Sequence, residues 1–356
     1  MTPRENLLKA MRRDNPKWVP FCFDLCPSQL EQMEKITGTK NVEKHYDFPF
    51  RFLWLKPSKS KTDYTRFFDK LPDGALPHRA HPEWGVYMVY GSVAHFVEIL
   101  SPMAGFESID EILAYPFPDM LEDYRWQGMA DRASMIKMNG QATVAFMQMT
   151  IFETAWRLRG MENFLMDMIA DTELAEALLD KITNIRIGMA EKYAKAGVDI
   201  VMLGDDVSTQ LDMMMNPDVW RTLIKPRLKK VIDATKNINK DILVFYHGDG
   251  NLQSIIPDLI EIGIDILNPI QPECMNPIEI KNLYGDRLSF WGGLGTQTTM
   301  PFGSTDDVRK ECRRLIDNLG KGGGFLLAPT HTIEPEVPWD NIMAFIDTAR
   351  EYGRYK

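Results

Sequence analysis

A single (β/α)8 barrel with a hairpin inserted after its second strand is the fold class that the sequence predicts, and three observations predict it. Eight short apolar runs can be counted along the chain, many of them separated by stretches of helical period. Most of these runs are near-continuous in apolar residues rather than alternating, which is the pattern of parallel strands covered by helices. A length of 356 residues accommodates eight strand–helix units in one domain, and no G-x-G-x-x-G follows an early strand as an open dinucleotide-binding sheet would require.

The chain opens with MTPRENLLKAMRRDNP, an amphipathic helix in which Thr2 and Glu5 form a capping box. VPFCFD (19–24) and FRFLWL (50–55) are the first two strands. The rhythm then breaks over 57–100, where HPEWGVYMVYG alternates aromatic residues between Pro and Gly. Such a hairpin serves as a lid or a partner-facing excursion, or else packs its aromatics on the barrel rim as decoration. ATVAFMQ (142–148) is the third strand, and Glu153 opens the helix after it, where an acid suits the helix dipole. VDIVMLGDD (198–206), ILVFYHGDG (242–250), IDILNPIQP (264–272), LSFWGGLG (288–295) and GFLLAPTH (324–331) complete the eight. GKGGGF (320–325) precedes the last strand and so belongs to the face opposite the strand ends, not to a phosphate loop. No Pro-Gly-rich linker divides 1–356, which reads as one domain.

Bulk properties narrow the function. Hydrophobic residues make up 44% and charged residues 26%, the balance of a soluble globular protein. A formal charge of −9 with no basic cluster argues against a nucleic-acid partner. Cys22, Cys26, Cys274 and Cys312 are too scattered for a disulfide framework or zinc ribbon, which fits a reducing cytoplasm. The N-terminal stretch lacks the apolar core of a signal peptide, and no apolar run is long enough to span a bilayer.

Barrel active sites form where the strands end, so the polar residues closing each run are the candidates. These are Asp24, Gln148, Asp205 and Asp206, His247 and Asp249, Gln271, Gln297 and His331. His247 and His331 end the strands counted fifth and eighth, and Asp249 stands two residues after the first of them. Two imidazoles and a carboxylate make a three-ligand set for catalytic zinc with an open position, while the plainer alternative is a pair of strand-end histidines bonded to backbone. Adjacent strand residues face opposite ways, so only one of Asp205 and Asp206 can look inward as a base or hydrogen-bond acceptor, the other capping a helix. His45, His78, His81 and His95 read as solvated or hydrogen-bonded.

Four segments carry a family likeness: AGVDIVMLGDD, HGDGNLQSIIPDLIEIGIDILNPIQP, YGDRLSFWGGLGTQ and GGGFLLAPTHTIEPEVPWDNI. Through them the chain resembles the uroporphyrinogen decarboxylase superfamily, and more closely its cobamide-dependent methyltransferase branch. The resemblance implies a (β/α)8 barrel and a zinc held by a His-x-Cys-Gly element and a cysteine closing the last strand. Here the first element is His247-Gly248-Asp249-Gly250 and the last position is His331, so both thiolates are exchanged. A His/Asp/His set leaves zinc a stronger Lewis acid, suited to an ether oxygen or phenolate; the same exchange also agrees with loss of the metal.

The activity implied is methyl transfer from a small methylated substrate, an O-demethylation if that substrate is a methoxylated aromatic, to a corrinoid protein. No D-x-H-x-x-G element is present, so the cobamide would arrive on that separate protein. His247, Asp206 and Asp24 would be catalytic, and His247, Asp249 and His331 the metal ligands. Gln148, Tyr246, Gln271, Gln297, Trp84, Tyr87 and Trp291 would bind substrate. A homodimer is compatible with the chain. Two alternatives stand beside this reading: a metal-free decarboxylase of a carboxylated substrate, and a ligand-binding barrel without turnover. The first is at odds with CFDLCPSQLEQ, whose loop lacks the arginines that grip carboxylates.

Overall fold

The computed structural model describes residues 1–78, 82–91 and 97–355; His81 and His95 lie outside them. In chain order the strands are β1 (Phe50–Leu53), β2 (Leu76–Pro77), β3 (Tyr87–Tyr90), β4 (Val97–Leu100), β5 (Ala142–Phe146), β6 (Ile200–Gly204), β7 (Leu243–His247), β8 (Ile266–Asn268), β9 (Ser289–Leu294) and β10 (Phe325–Pro329). One sheet has the order β1-β5-β6-β7-β8-β9-β10, parallel throughout. Helices return the chain between successive strands, as parallel pairing requires. Every residue of β6, β9 and β10 is buried, which is why these segments read as unbroken apolar runs.

The sheet curls on itself. Trp291 of β9 lies 5.0 Å from Phe50 of β1 and 5.3 Å from Phe245 of β7, ring centroid to ring centroid. Strands β1 and β9 stand five places apart in the sheet order, so their rings can meet only across an enclosed interior.

The run 19–24 differs from the regular first strand that the sequence predicts. It lies parallel to β10 but makes only isolated bridges, Phe21 to Leu327 and Leu25 to Ile333. Leu327 N–H donates to Pro20 O at 2.9 Å and Ile333 N–H to Asp24 O at 2.8 Å. Among the described residues no backbone hydrogen bond joins this run to β1. Proline is the physical reason: Pro20 and Pro49 offer no N–H to a ladder at this seam. Aromatic edges fill it instead, with Phe23 5.2 Å from Phe48 and 5.1 Å from Tyr46.

Between β1 and β5 the chain leaves the main sheet. Strands β2, β3 and β4 form an antiparallel sheet, with Tyr87 opposite Leu100 and Val89 opposite Glu98. Trp84, just before β3, is buried, and its carbonyl accepts from the Tyr115 hydroxyl at 2.7 Å. No helix among the described residues is long and apolar enough to cross a membrane.

At the opposite end of the main sheet from the site, Asp199 ties the N-terminal helix Pro3–Met11 to the start of β6. Arg4 donates to both of its oxygens, at 2.7 and 3.0 Å, and the Thr143 N–H and hydroxyl donate at 3.0 and 3.1 Å. Lys137 adds an ion pair at 3.3 Å.

Candidate metal and substrate site

Where the parallel strands end, a cavity of about 580 Å³ opens, and its lining comes from β1, β5, β6, β7, β8, β9, β10 and the 19–24 run. Its walls are mainly aromatic, among them Phe50, Phe52, Phe146, Phe245 and Trp291. The polar groups reaching it are Asp24, Glu43, Gln148, His247, Asn268, His331 and two threonines.

His247 closes β7, and its ring is held from behind. Asn268 Nδ2 donates to the Trp291 carbonyl at 2.7 Å, which leaves Asn268 Oδ1 to accept from His247 Nδ1–H at 2.5 Å. In the neutral imidazole the lone pair is therefore on Nε2. That atom faces Asp206 Oδ1 at 3.6 Å and Asp249 Oδ1 at 3.9 Å. One ligand atom from each of Asp206, His247 and Asp249 lies within 4.8 Å of the others. The loop between is closed by Gly250, whose φ is +87° and whose added Cβ would sit 2.3 Å from the Thr209 carbonyl oxygen.

Electrostatics favour a cation at this point. Burial pulls His247 toward neutrality, but Asp206 and Asp249 outweigh it and raise its pKa. Burial raises the Asp249 carboxyl; the Asp206 charge adds to that, while His247 and His331 oppose it. Asp249 Oδ1 is buried and has no hydrogen-bond partner among the described residues. A buried carboxylate oxygen left without a donor, beside an imidazole lone pair and a second carboxylate, fits the N/O donor set of a divalent metal. Behind the set, Glu153 accepts from the Asp206 N–H at 3.2 Å and from Arg157 Nη2 at 3.2 Å. Arg157 Nη1 in turn meets His78 Nε2 at 2.7 Å, so hydrogen bonds run from the insertion to the cluster.

The two aspartates of GDD divide the roles between them. Asp205 is fully buried and accepts from the N–H groups of Ile151 and Glu153 at 2.9 to 3.1 Å, capping the helix Phe152–Arg159. Burial pushes its carboxyl up to about 8 even so, with Glu153 adding to the shift. Asp206 is left to face His247.

The other sequence candidates are distributed as follows. Asp24 lines the cavity, accepting from Leu25 N–H at 2.9 Å and from the Thr332 hydroxyl at 3.1 Å. Trp291 lines it too, with its indole N–H 3.2 Å from Cys22 Sγ. His331 is on the same wall but outside the close cluster, where Asp206 stands as the third group. Gln148 borders this cavity and a neighbouring one, whose lining also includes Trp84.

Four of these other candidates line neither cavity. Gln271 spends its carbonyl on the Gly250 N–H at 2.6 Å and so props the loop that carries Asp249. Tyr246 is buried with its hydroxyl 3.3 Å from the Asp205 carbonyl. Gln297 bonds Gln210 at 2.8 Å in solvent, and Tyr87 packs on Phe68 at 5.5 Å within the insertion.

Asn268 and Glu153 were not expected in the site. Asn268 has a signal in sequence, a polar residue closing the IDILN strand; Glu153 has the sequence appearance of an ordinary first-turn acid. Asn268→Ala is expected to free the His247 ring and weaken divalent-metal affinity by roughly 10- to 100-fold, the usual loss on removing a ligand's orienting partner. Competition against a zinc chelator measures it.

Residues 94–352 match the family described as Uroporphyrinogen decarboxylase (URO-D). Methylcobamide:CoM methyltransferase MtaA of Methanosarcina barkeri is 27% identical over 195 residues, 55% of this chain and 54% of its own. The uroporphyrinogen decarboxylase of Citrifermentans bemidjiense is 23% identical over 187 residues, 52% of either chain. The chain thus spans about half the length of the curated relatives it matches. A methyltransferase structure from Methanosarcina mazei superposes with a TM-score of 0.69 at 20% identity over 99% of both chains, which establishes a common fold. Matched by the family description over most of its length and sharing that fold from end to end, the chain belongs to the uroporphyrinogen decarboxylase (URO-D) family.

Proposed function

We propose that the protein is a corrinoid-dependent methyltransferase of the O-demethylase type, moving a methyl group from a small methoxylated aromatic to a cobamide on a separate corrinoid protein. The observation that carries this reading is the Asp206, His247 and Asp249 cluster beside an aromatic cavity whose lining, among the described residues, contains no lysine or arginine. A decarboxylase substrate bearing several carboxylates would meet Asp24 and Glu43 there instead of cations. The named activity of the Methanosarcina barkeri relative, between a methylated cobamide and coenzyme M, lends support at the level of reaction class.

Asp206, His247 and Asp249 would hold zinc, which when bound supplies Lewis acidity toward the oxygen that loses its methyl. Asn268 keeps the His247 lone pair directed at that position. Phe50, Phe146 and Trp291 offer flat apolar walls to an aromatic ring and exclude water around it. Asp24 and His331, on the cavity wall, would orient the ether. In the balanced reaction the methyl–oxygen bond breaks, the oxygen keeps the electron pair as phenolate, and the methyl carbon joins the cobalt of a reduced corrinoid, which provides the new bonding pair.

The test combines purified protein, zinc, a methoxyarene panel and reduced corrinoid, reading the methylcorrinoid absorbance and the demethylated phenol. A flat response across the panel, with carbon dioxide released from a tetrapyrrole in the absence of metal, would assign the decarboxylase reaction instead.

Metal binding should also depend on pH in a definite direction. The raised His247 pKa keeps a proton between the two carboxylates to higher pH than a free imidazole would, and zinc must displace it. Zinc affinity is therefore expected to rise with pH through that pKa and to level off above it, as followed by titration at successive pH values.

A further inference from the structure

A second cavity, of about 530 Å³, shares Trp54, Phe146 and Gln148 with the first. Its character is different. Trp84, Met147, Met189 and Tyr193 form apolar walls, and Arg186 from the helix Thr172–Lys195 lines it while only 4% exposed. Arg186 Nε donates to the Thr150 carbonyl at 2.9 Å, and Nη2 donates to the Met149 carbonyl and the Thr154 hydroxyl at 2.8 and 3.2 Å. Among the described residues Nη1 meets only the Met189 sulfur, at 3.7 Å.

No described carboxylate forms an ion pair with this guanidinium. Asp205 acts on it at longer range, but its oxygens are taken by backbone N–H groups. Glu83, in the same lining, is held by Arg125 at 2.7 Å. The Trp84 ring lies 5.4 Å from the guanidinium carbon. Burial pulls Arg186 down to about 10, a sign of how poorly its charge is compensated. A buried cation whose Nη1 has only a thioether for an acceptor, bordered by aromatic faces, is complementary to a flat anion; a carboxylate oxygen matches that single donor nitrogen in charge.

We propose that the substrate is an aromatic ether that also carries a carboxylate, with the carboxylate on Arg186 Nη1 in the second cavity. The ring lies against Trp54 and Phe146, where the two cavities meet, and the ether methyl faces the His247 side. The ether half of this assignment rests on the methyl-transfer reading; the anion site does not.

Binding to the full chain is measured by tryptophan fluorescence with 4-methoxybenzoate, its neutral amide and benzoate. Both acids are expected to bind roughly 10- to 100-fold more tightly than the amide, the scale of one charge-assisted contact. Met189→Glu sets a carboxylate against Nη1; it should bring acid affinity down to that of the amide and raise the thermal midpoint. An amide that binds as tightly as the acids, or acid affinity unchanged in Met189→Glu, overturns the anion site. Tight benzoate binding with no methyl transfer from any methoxyarene supports the anion site and removes the methyl-transfer reading. Equal transfer from neutral and acidic methoxyarenes keeps that reading and overturns the inference.

Discussion

His247→Ala is expected to abolish stoichiometric zinc binding and to lower methyl transfer by about a thousandfold or more, the scale of losing several kcal/mol of transition-state stabilisation. The imidazole is the only neutral donor of the cluster, and its Nε2 lies between two carboxylates. Without it, Asp206 and Asp249 face each other across the space it leaves, and their repulsion favours protonation of one over capture of a metal. The readouts are metal content by elemental analysis and the methylcorrinoid absorbance. His331→Ala serves as the contrast, because His331 lines the cavity but lies outside the close cluster. It should retain metal and lose activity; loss of zinc in His331→Ala would mean that this histidine, and not Asp206, completes the ligand set.

Asp199→Ala should destabilise the fold by about 3 kcal/mol, since it removes one partner of a largely buried, doubly bonded ion pair. The side chain of Asp199 is 6% exposed and that of Arg4 30%, so Arg4 regains some water and the loss falls short of that for a fully buried pair. Burial alone would raise the Asp199 carboxyl, but Arg4, the Thr143 N–H and Lys137 together hold it below its ordinary value. A carboxyl with a depressed folded pKa contributes its full stability above the unfolded pKa of about 3.9 and loses it as pH falls through the folded value. Urea unfolding at neutral pH should therefore separate wild type from Asp199→Ala, and the gap should shrink as the pH is lowered below about 4. A gap that persists undiminished in strong acid would place the effect in packing rather than charge.

Much of the sheet could be read in advance because parallel strands leave a plain mark. VDIVMLGDD, ILVFYHGDG and LSFWGGLG are apolar on both faces, and a soluble chain hides such runs only between covering layers. The run VPFCFD carries the same mark, yet its proline withholds a donor and only isolated bridges form. His247 and Asp249 could be picked out because a turn rich in polar residues breaks an apolar strand at that point. The split between Asp205 and Asp206 could not be, since strand alternation says that the two diverge but not which one meets the helix N–H groups. Gln271 and Gln297 illustrate the same limit: a strand-end amide has one appearance in sequence whether it faces a ligand, a backbone N–H or solvent.

What one-dimensional order specified here is the alternation of strands and helices and the set of polar groups delivered to one end of the sheet. Periodicity and composition act locally, so they are written residue by residue. Which groups converge was decided in three dimensions. Parallel pairing of β6 with β7, Gly204 opposite His247, brings Asp206 of one strand end to His247 of the next, Asn268 fixes the ring, and Arg186 arrives from a helix with nothing in its neighbourhood of sequence to mark it. Distances between side chains on different elements depend on sheet curvature, burial and competing hydrogen bonds, and none of these is encoded at any single position.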